Sequence, residues 1–322
     1  MNIGIIGYKG HAIRICDAIK ENNINNKIIT FHPRKKNEAI KTNNLDDILK
    51  SDCIFIASPN DTHFDYITEL KFQKGYSGKI FCEKPPVADS SELEHLSQYG
   101  ENLFRDVYFN FNFRKTSLYK EIKCRLNDLG AVLSVDLSLT HGLAYKDSYI
   151  NSWRSQSINH SLGVLETVGI HWIDLFISLF GNIKRHQMFN NIIAKTGTAF
   201  DTSDLVLLHN SGTVSKIFVS YASCKYFNLK LHCTNGVINF KNNDIFIISP
   251  RDVFDSHGNF KYPEKFEFEY SFDRDYRDSL STSVNYFLSC VEKNIPFKRD
   301  CWDRSIESNR VLLTLKNRYD GV

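Results

Sequence analysis

Apolar positions follow two different rhythms along this chain, and the rhythm changes near residue 131. In the first part, short apolar runs alternate with stretches whose apolar residues recur every three or four positions. The runs at residues 2–7, Lys27 to Phe31, Asp52 to Ala57 and Lys79 to Cys82 predict strands. Between them, His11 to Glu21 predicts a helix with Ala12, Ile13, Ile15, Ala18 and Ile19 as its apolar positions. Leu45 to Lys50 and Asp61 to Leu70 predict two more helices, the second opened by Asp61 or Thr62 as a cap. Such alternation gives parallel strands with helices on both faces, an α/β doubly wound sheet. Val107 to Arg114, alternating aromatic and polar residues, reads as one more sheet strand.

From about Ala131 the strands lengthen and alternate, as at Val132 to Thr140, Leu205 to Leu208, Val214 to Ser220 and Tyr226 to His232. Turns such as Asn235-Gly236 and Asn242-Asn243 separate the later ones, so this part predicts an α+β domain with a large, mainly antiparallel sheet. One helix interrupts it, from Gly163 to Phe176, and Asp275 to Leu288 and Trp302 to Asn317 predict two closing helices. The expected division is a first domain at residues 1–114 and a second at 115–322.

Length and charge narrow the function classes. A chain of 322 residues suits two domains better than one. A formal net charge of +3, with dispersed basic residues, argues against nucleic acid as the main partner. No apolar run approaches membrane-spanning length, and Met1-Asn2-Ile3-Gly4 lacks the basic start of a secretory signal, so a cytoplasmic setting away from membranes is expected. The eight cysteines form no C-x-x-C pair and several lie in apolar runs. Reduced thiols are expected, with neither a metal site nor a disulfide framework.

Three segments carry candidate chemistry. After the first strand, Gly7-Tyr8-Lys9-Gly10-His11-Ala12 stands where a dinucleotide fold cradles a pyrophosphate on backbone amides and a helix N-terminus. Gly7 matches the first glycine of that fingerprint, Lys9 replaces the second and Ala12 the third; Gly10 lies one residue late, and the Lys9 ammonium can reach a phosphate. After the second strand, Phe31-His32-Pro33-Arg34-Lys35-Lys36 has no acid to accept a ribose 2′-hydroxyl and repel a 2′-phosphate. Arg34 is the candidate clamp for that phosphate, which favours NADP over NAD. After the third strand, Ser58-Pro59-Asn60 would lie against the cofactor. After the fourth, Glu83-Lys84-Pro85-Pro86 projects an acid and an amine from a turn that cannot become helix.

These segments, in this order, resemble the nucleotide-binding half of the oxidoreductase family typified by glucose-fructose oxidoreductase and inositol dehydrogenase (Gfo/Idh/MocA), which implies a Rossmann first domain. The resemblance places His63 and Glu83 in the cofactor site and matches Asn112 and Arg114 to the family's N-x-R segment, with Arg114 toward the substrate. It matches Ser152-Trp153-Arg154 to the segment before the catalytic helix, and Gly163 to Phe176 to that helix. Thr167, His171 and Asp174, spaced by four and three residues, share one helical face there. Hydride transfer from a secondary alcohol needs a general base and a group that stabilises the oxyanion. His171 suits the first task and Lys84 the second. Many family members carry aspartate where this chain has Thr167, which leaves Thr167 an orienting contact, with Trp153, Arg154 and Asp174 framing the substrate. Members acting on nucleotide-linked amino sugars tolerate such a residue, so the expected substrate is a sugar, a nucleotide-linked one used for surface glycans. The resemblance further implies a homo-oligomer joined through the second-domain sheet and closing helices that pack back on the first domain. Two alternatives stay open: an NAD-dependent glycosidase with only transient redox chemistry, and a non-catalytic cofactor or sugar sensor.

Overall fold

A computed structural model describes residues 1–23, 25–34, 40–158 and 161–319. The chain divides into two units, one of residues 1–115 and 277–313, the other of residues 116–276 and 314–322. In the first unit, strands β1 (Asn2–Ile6), β2 (Lys27–Phe31), β3 (Cys53–Ile56), β4 (Lys79–Glu83) and β5 (Val107–Asn110) form one parallel sheet in the order β2-β1-β3-β4-β5. Helices α1 (His11–Asn22), α2 (His63–Thr68), α3 (Ser90–Gln98) and the short α4 (Gly100–Leu103) lie between the strands. β3 and β4 are buried along their whole length, as strands of a sheet covered on both faces must be.

Three local expectations are corrected here. On α1, Ala12, Ile15, Ala18 and Ile19 are buried, but Ile13 is 54% exposed, because it lies about 100° around the helix from Ala12. Thr62 stands at the N-cap of α2 but its side chain makes no capping bond: a 3₁₀ turn at Asn60–Thr62 precedes the helix, and the Thr62 hydroxyl bonds back to the Pro59 carbonyl at 2.7 Å. The strand expected over Val107 to Arg114 ends at Asn110, and Asn112–Lys115 forms a 3₁₀ turn. The polar residues of that alternation point inward: Asn110 and Asn112 are both buried and hydrogen-bonded to buried serines, Ser283 at 2.7 Å and Ser279 at 2.7 Å.

In the second unit, α5 (Ser117–Leu129) starts at the cap residue Thr116, with the Asp275 carboxylate accepting from Ser117 N–H at 2.7 Å and Leu118 N–H at 2.9 Å. Strands β6 (Val132–Thr140), β7 (Ile183–Asn191), β8 (Thr202–His209), β9 (Val214–Ser220), β10 (Tyr226–Cys233), β11 (Gly236–Lys241), β12 (Asp244–Ile248) and β13 (Lys265–Glu269) form one sheet in the order β13-β12-β11-β10-β6-β9-β8-β7. Every neighbouring pair is antiparallel except β6 and β9, which run parallel. Between β6 and β7 come α6 (Asp147–Ile150), a π-helical turn at Leu165–Gly169 and α7 (Ile170–Phe180). Trp172 of α7, wholly buried, stacks on Phe227 and Phe272, each at 5.9 Å.

The chain closes with α8 (Phe272–Glu292) and α9 (Arg299–Tyr319). Within the first unit, Leu280, Val284, Phe287 and Leu288 of α8 join Ile3, Ile5, Phe55 and Phe81 of the sheet and Ile15 and Ile19 of α1 in one buried cluster. Phe287 meets Phe55 at 5.0 Å and Phe81 at 5.4 Å, edge on to both. All eight cysteines are free thiols; Cys124 and Cys224 are exposed, whereas Cys53, Cys82, Cys233 and Cys290 are buried. No helix among the described residues is long and apolar enough to cross a membrane.

Candidate functional site

The loop after β1 is fixed by contact with both neighbouring strands. Gly7 N–H donates to the Phe31 carbonyl at the end of β2 (3.1 Å), and Ala57 N–H beyond β3 donates to the Ile6 carbonyl (2.8 Å). Gly7 has φ 122°, and a Cβ there would stand 2.6 Å from the Ala57 carbonyl oxygen. Gly10 has φ 41° and caps α1 without any side-chain hydrogen bond, although a Cβ on it would meet nothing within 4 Å. The helix N-terminus therefore carries its positive end of the backbone dipole without a side-chain cap, next to two glycine turns. The Lys9 ammonium lies over the Tyr8 ring, 5.6 Å from its centre, and Tyr8 packs edge on against His32 at 4.8 Å. Arg34 is exposed, with its backbone N–H donating to His32 Nδ1 at 3.1 Å; Lys35 and Lys36 fall outside the described residues.

At the same C-terminal edge of the sheet, Ser58-Pro59-Asn60 leaves β3 and Glu83-Lys84-Pro85 leaves β4. His63 joins these two turns, with Nδ1 2.8 Å from the Pro85 carbonyl and Nε2 3.1 Å from the Ser58 carbonyl. Its ring is wholly buried, and burial pushes its pKa down. His63 thus ties the two turns together from the interior. Glu83 is 7% exposed; its Oε1 accepts from Asn110 Nδ2 at 2.7 Å and faces His11 Nε2 at 2.8 Å. The β4–β5 register sets Glu83 opposite Asn110, which makes the first of these contacts local to the sheet. Burial alone would raise the Glu83 carboxyl, but His11, the Asn110 amide and the Lys84 charge outweigh it and hold the carboxyl below its usual range. Lys84 is half-buried, between this carboxylate and the clamped Pro85, to which it is joined by a cis peptide.

Arg114 lies elsewhere in the first unit. Its guanidinium donates to the Cys301 carbonyl at 3.0 Å and to Ser305 Oγ at 3.3 Å and stacks over Phe111, so it ties the chain after β5 to α9.

In the second unit, Thr167 and His171 are both half-buried, whereas Asp174 is completely buried. Asp174 lies within about 60° of His171 around the helix, on the same side as the spacing predicts, but it is covered by packing, so only Thr167 and His171 of the three are accessible. The Thr167 hydroxyl lies 2.7 Å from the Tyr221 hydroxyl and within 3.3 Å of the Gly163 and Val164 carbonyls. Carbonyls only accept, so the threonine proton goes to one of them and Tyr221 donates to Thr167. Burial pushes the Tyr221 hydroxyl up to about 12, which keeps it a donor at neutral pH. Tyr221 and His141 were missed by sequence reasoning. They follow β9 and β6, the parallel pair, whose register of Thr140 with Ser220 brings them together, rings stacked at 4.9 Å. Trp153 and Arg154 are both exposed, with the guanidinium 4.5 Å from the indole centre.

Residues 1–108 match the model of an oxidoreductase family's NAD-binding Rossmann fold, and residues 124–239 match that of the GFO/IDH/MocA C-terminal domain. Glucose-6-phosphate 3-dehydrogenase of Bacillus subtilis (strain 168) is 25% identical over 191 residues, which are 56% of this chain and 53% of that protein. The match thus spans about half the length of this curated relative. Among solved structures, an oxidoreductase from Agrobacterium radiobacter in complex with NAD+, L-tartaric acid and magnesium superposes with TM-score 0.74 at 15% identity, over 96% of this chain and 93% of that one. Biliverdin reductase from Synechocystis sp. PCC 6803, in complex with biliverdin and NADP+, superposes with TM-score 0.74 at 15% identity, over 98% of each chain. The parallel five-stranded sheet, the mostly antiparallel eight-stranded sheet and the two matching domain models agree, and the chain belongs to the GFO/IDH/MocA oxidoreductase family.

Proposed function

We propose that this chain is an NAD(P)-dependent dehydrogenase or reductase that interconverts a secondary alcohol and a ketone on a sugar, with a nucleotide-linked sugar of surface-glycan synthesis as its substrate class. The observation that carries this reading is the placement of Lys84. It leaves the C-terminal edge of the parallel sheet, where ligands of doubly wound folds bind, between the hydrogen-bonded Glu83 and the Pro85 carbonyl held by His63. The residues of the β1 loop fit a dinucleotide, since Gly7 allows close backbone approach and α1 has no side-chain cap. When bound, the nicotinamide supplies the hydride acceptor or donor. Lys84 stabilises the developing oxyanion, His171 takes up or returns the hydroxyl proton, and Thr167 accepts a hydrogen bond from a substrate hydroxyl. Trp153 and Arg154 offer an exposed aromatic and cationic frame for the sugar and its charged substituent.

No acid appears among the described residues that close β2, and Arg34 is exposed there, so we favour NADP, with NAD as the other cofactor. The activity in the Bacillus subtilis relative's name supports a sugar substrate. A cytoplasmic homo-oligomer joined through the eight-stranded sheet completes the reading. Parallel titrations with NADPH and NADH, followed by nicotinamide fluorescence, test the cofactor site, and turnover of a nucleotide-sugar panel tests the substrate class. Lys84→Ala is expected to abolish turnover while largely keeping cofactor binding; full activity in that variant removes Lys84 from the mechanism.

A further inference from the structure

The eight-stranded sheet ends on one side at β13, and among the described residues only β12 pairs with it. Tyr270 N–H donates to the Asn243 carbonyl at 2.9 Å, and in the register of the pair this turns the backbone groups of Phe266 and Phe268 toward β12. The N–H and C=O groups of Lys265, Glu267 and Glu269 therefore face the open edge. Phe266 and Phe268 lie on the face of the sheet that carries the core, opposite Ile247 and Ile245. Those isoleucines are each 6% exposed, whereas the phenylalanines are 48% and 43% exposed. Arg125 of α5, held by Glu121 at 2.6 Å, reaches Phe268 with its guanidinium 5.2 Å from the ring centre. The core layer thus runs out to the edge and stops half-covered. On the other face Lys265 pairs with Glu267 of its own strand, and Glu269 follows in the same row.

We propose that this edge binds a second copy of the chain, β13 pairing antiparallel with the copy's β13 about a two-fold axis at Glu267, so that the sheet continues from one subunit into the next. An axis perpendicular to the sheet keeps the faces of the two copies on the same sides. The strand itself selects that occupant. About this axis Lys265 of each copy stands opposite Glu269 of the other, and Phe266 opposite Phe268, so the four rings close the core layer while the charges pair on the other face. One like-charged pair, Glu267 with Glu267, remains at the axis, and Lys265 of each strand offsets it. Moving the axis to Phe266 sets Glu264 against Phe268 on the core face, and moving it to Phe268 sets Glu267 against Glu269 twice. Charges on an edge strand discourage indiscriminate pairing, and here they are placed so that the same strand, reversed, satisfies them. Two strands of this length cover less area than a standard interface, so the association is of the weak, concentration-dependent class. The inference concerns the edge of the sheet, not its faces, and is independent of the reaction proposed above.

The test is the mass of the purified full chain by analytical ultracentrifugation, from low to high micromolar concentration, beside that of Glu267→Pro. The proline removes an N–H that faces the open edge and leaves the bonds to β12 in place, a position where edge strands accept it. Wild type is expected to reach twice the mass of Glu267→Pro at high concentration and to return to it on dilution. Lys265→Glu should weaken the association at least about fivefold, and adding Glu269→Lys should restore it. Cross-linking reads the register in a Cys124→Ser, Cys224→Ser background, which removes the exposed thiols. Glu267→Cys should close a disulfide with its own copy under mild oxidation, because opposed Cα atoms lie about 5.5 Å apart. Lys265→Cys and Glu269→Cys should each fail alone and link when mixed. Equal mass for wild type and Glu267→Pro at every concentration, whether of one chain or of several joined elsewhere, overturns the inference and leaves the edge to a strand of another protein or to solvent. Equal cross-linking at all three positions reports random encounter and overturns it too.

Discussion

Replacing Gly7 by alanine separates what contact and backbone conformation each contribute to the loop after β1. At φ 122° an alanine is strained by about 1–3 kcal/mol. Its Cβ would also stand 2.6 Å from the Ala57 carbonyl oxygen. That oxygen belongs to a backbone pinned by the Ala57 N–H bond to Ile6 and cannot swing aside, so overpacking adds about 1–3 kcal/mol more. The expected loss is roughly 2–6 kcal/mol. Gly10, three residues on, is the internal control: with φ 41° and no atom within 4 Å of an added Cβ, Gly10→Ala meets only the backbone strain of about 1–3 kcal/mol, with no steric contact added. Urea unfolding followed by circular dichroism gives the stabilities, and an NADPH titration of each variant gives the functional consequence. Gly7→Ala should lose cofactor binding with its stability, whereas Gly10→Ala should weaken it modestly. Equal destabilisation of the two variants, or a Gly7→Ala loss below about 1 kcal/mol, would refute the assignment of the contact to Ala57.

Arg34→Ala should weaken NADPH by about tenfold or more and leave NADH nearly unchanged, as read by parallel fluorescence titrations; an equal loss for both would remove Arg34 from the 2′-phosphate site. Glu83 has its folded pKa depressed, so its pairing contributes stability that is fully present above the unfolded value of 4.5 and lost as pH falls through the folded value. Glu83→Gln should flatten that acid limb in unfolding measured from about pH 6 to about pH 3, and an unchanged limb would show that the carboxylate is not a source of acid sensitivity. Asp275→Ala strips two first-turn N–H groups of α5 of their acceptor and should cost about 0.5–2 kcal/mol in urea unfolding.

The sheets were legible because their signals are local. Lys27–Phe31, Val132–Thr140 and Val214–Ser220 carry their strand pattern within themselves, and turn residues mark their ends. The glycine loop and the Glu83-Lys84-Pro85 turn were legible for the same reason. The alternation over Val107 to Arg114 signals a strand but not that Asn110 is buried, because this parallel sheet is covered on both faces. The serine partner of Asn110 lies 173 residues further on, a distance no periodicity can bridge. Tyr221 and His141 are 80 residues apart and meet through the parallel β6–β9 pairing, in a sheet whose sequence pattern indicated antiparallel neighbours. Asp174 illustrates the opposite error: spacing places a residue around a helix, but what covers each face is set by the packing around it, and Asp174 is fully buried.

The hydrogen bonds of the buried Glu83 and the buried His63 hold the short turn at Lys84 from within. Glu83 cannot leave its place without stranding donors from Asn110 and His11, and a donor left unpaired in the interior costs about 1–3 kcal/mol. Pro85 cannot move without breaking the His63 contact that also fixes Ser58 after β3. The Lys84 backbone is therefore defined on both sides by groups that approach from α2, β5 and α1. An ammonium mounted on such a support loses less freedom when it meets a developing charge than one on an exposed loop. The sequence Glu-Lys-Pro on its own is a common surface turn; here the fold buries the residues on either side of the lysine and leaves the lysine half-exposed between them, the setting that the role proposed for Lys84 requires.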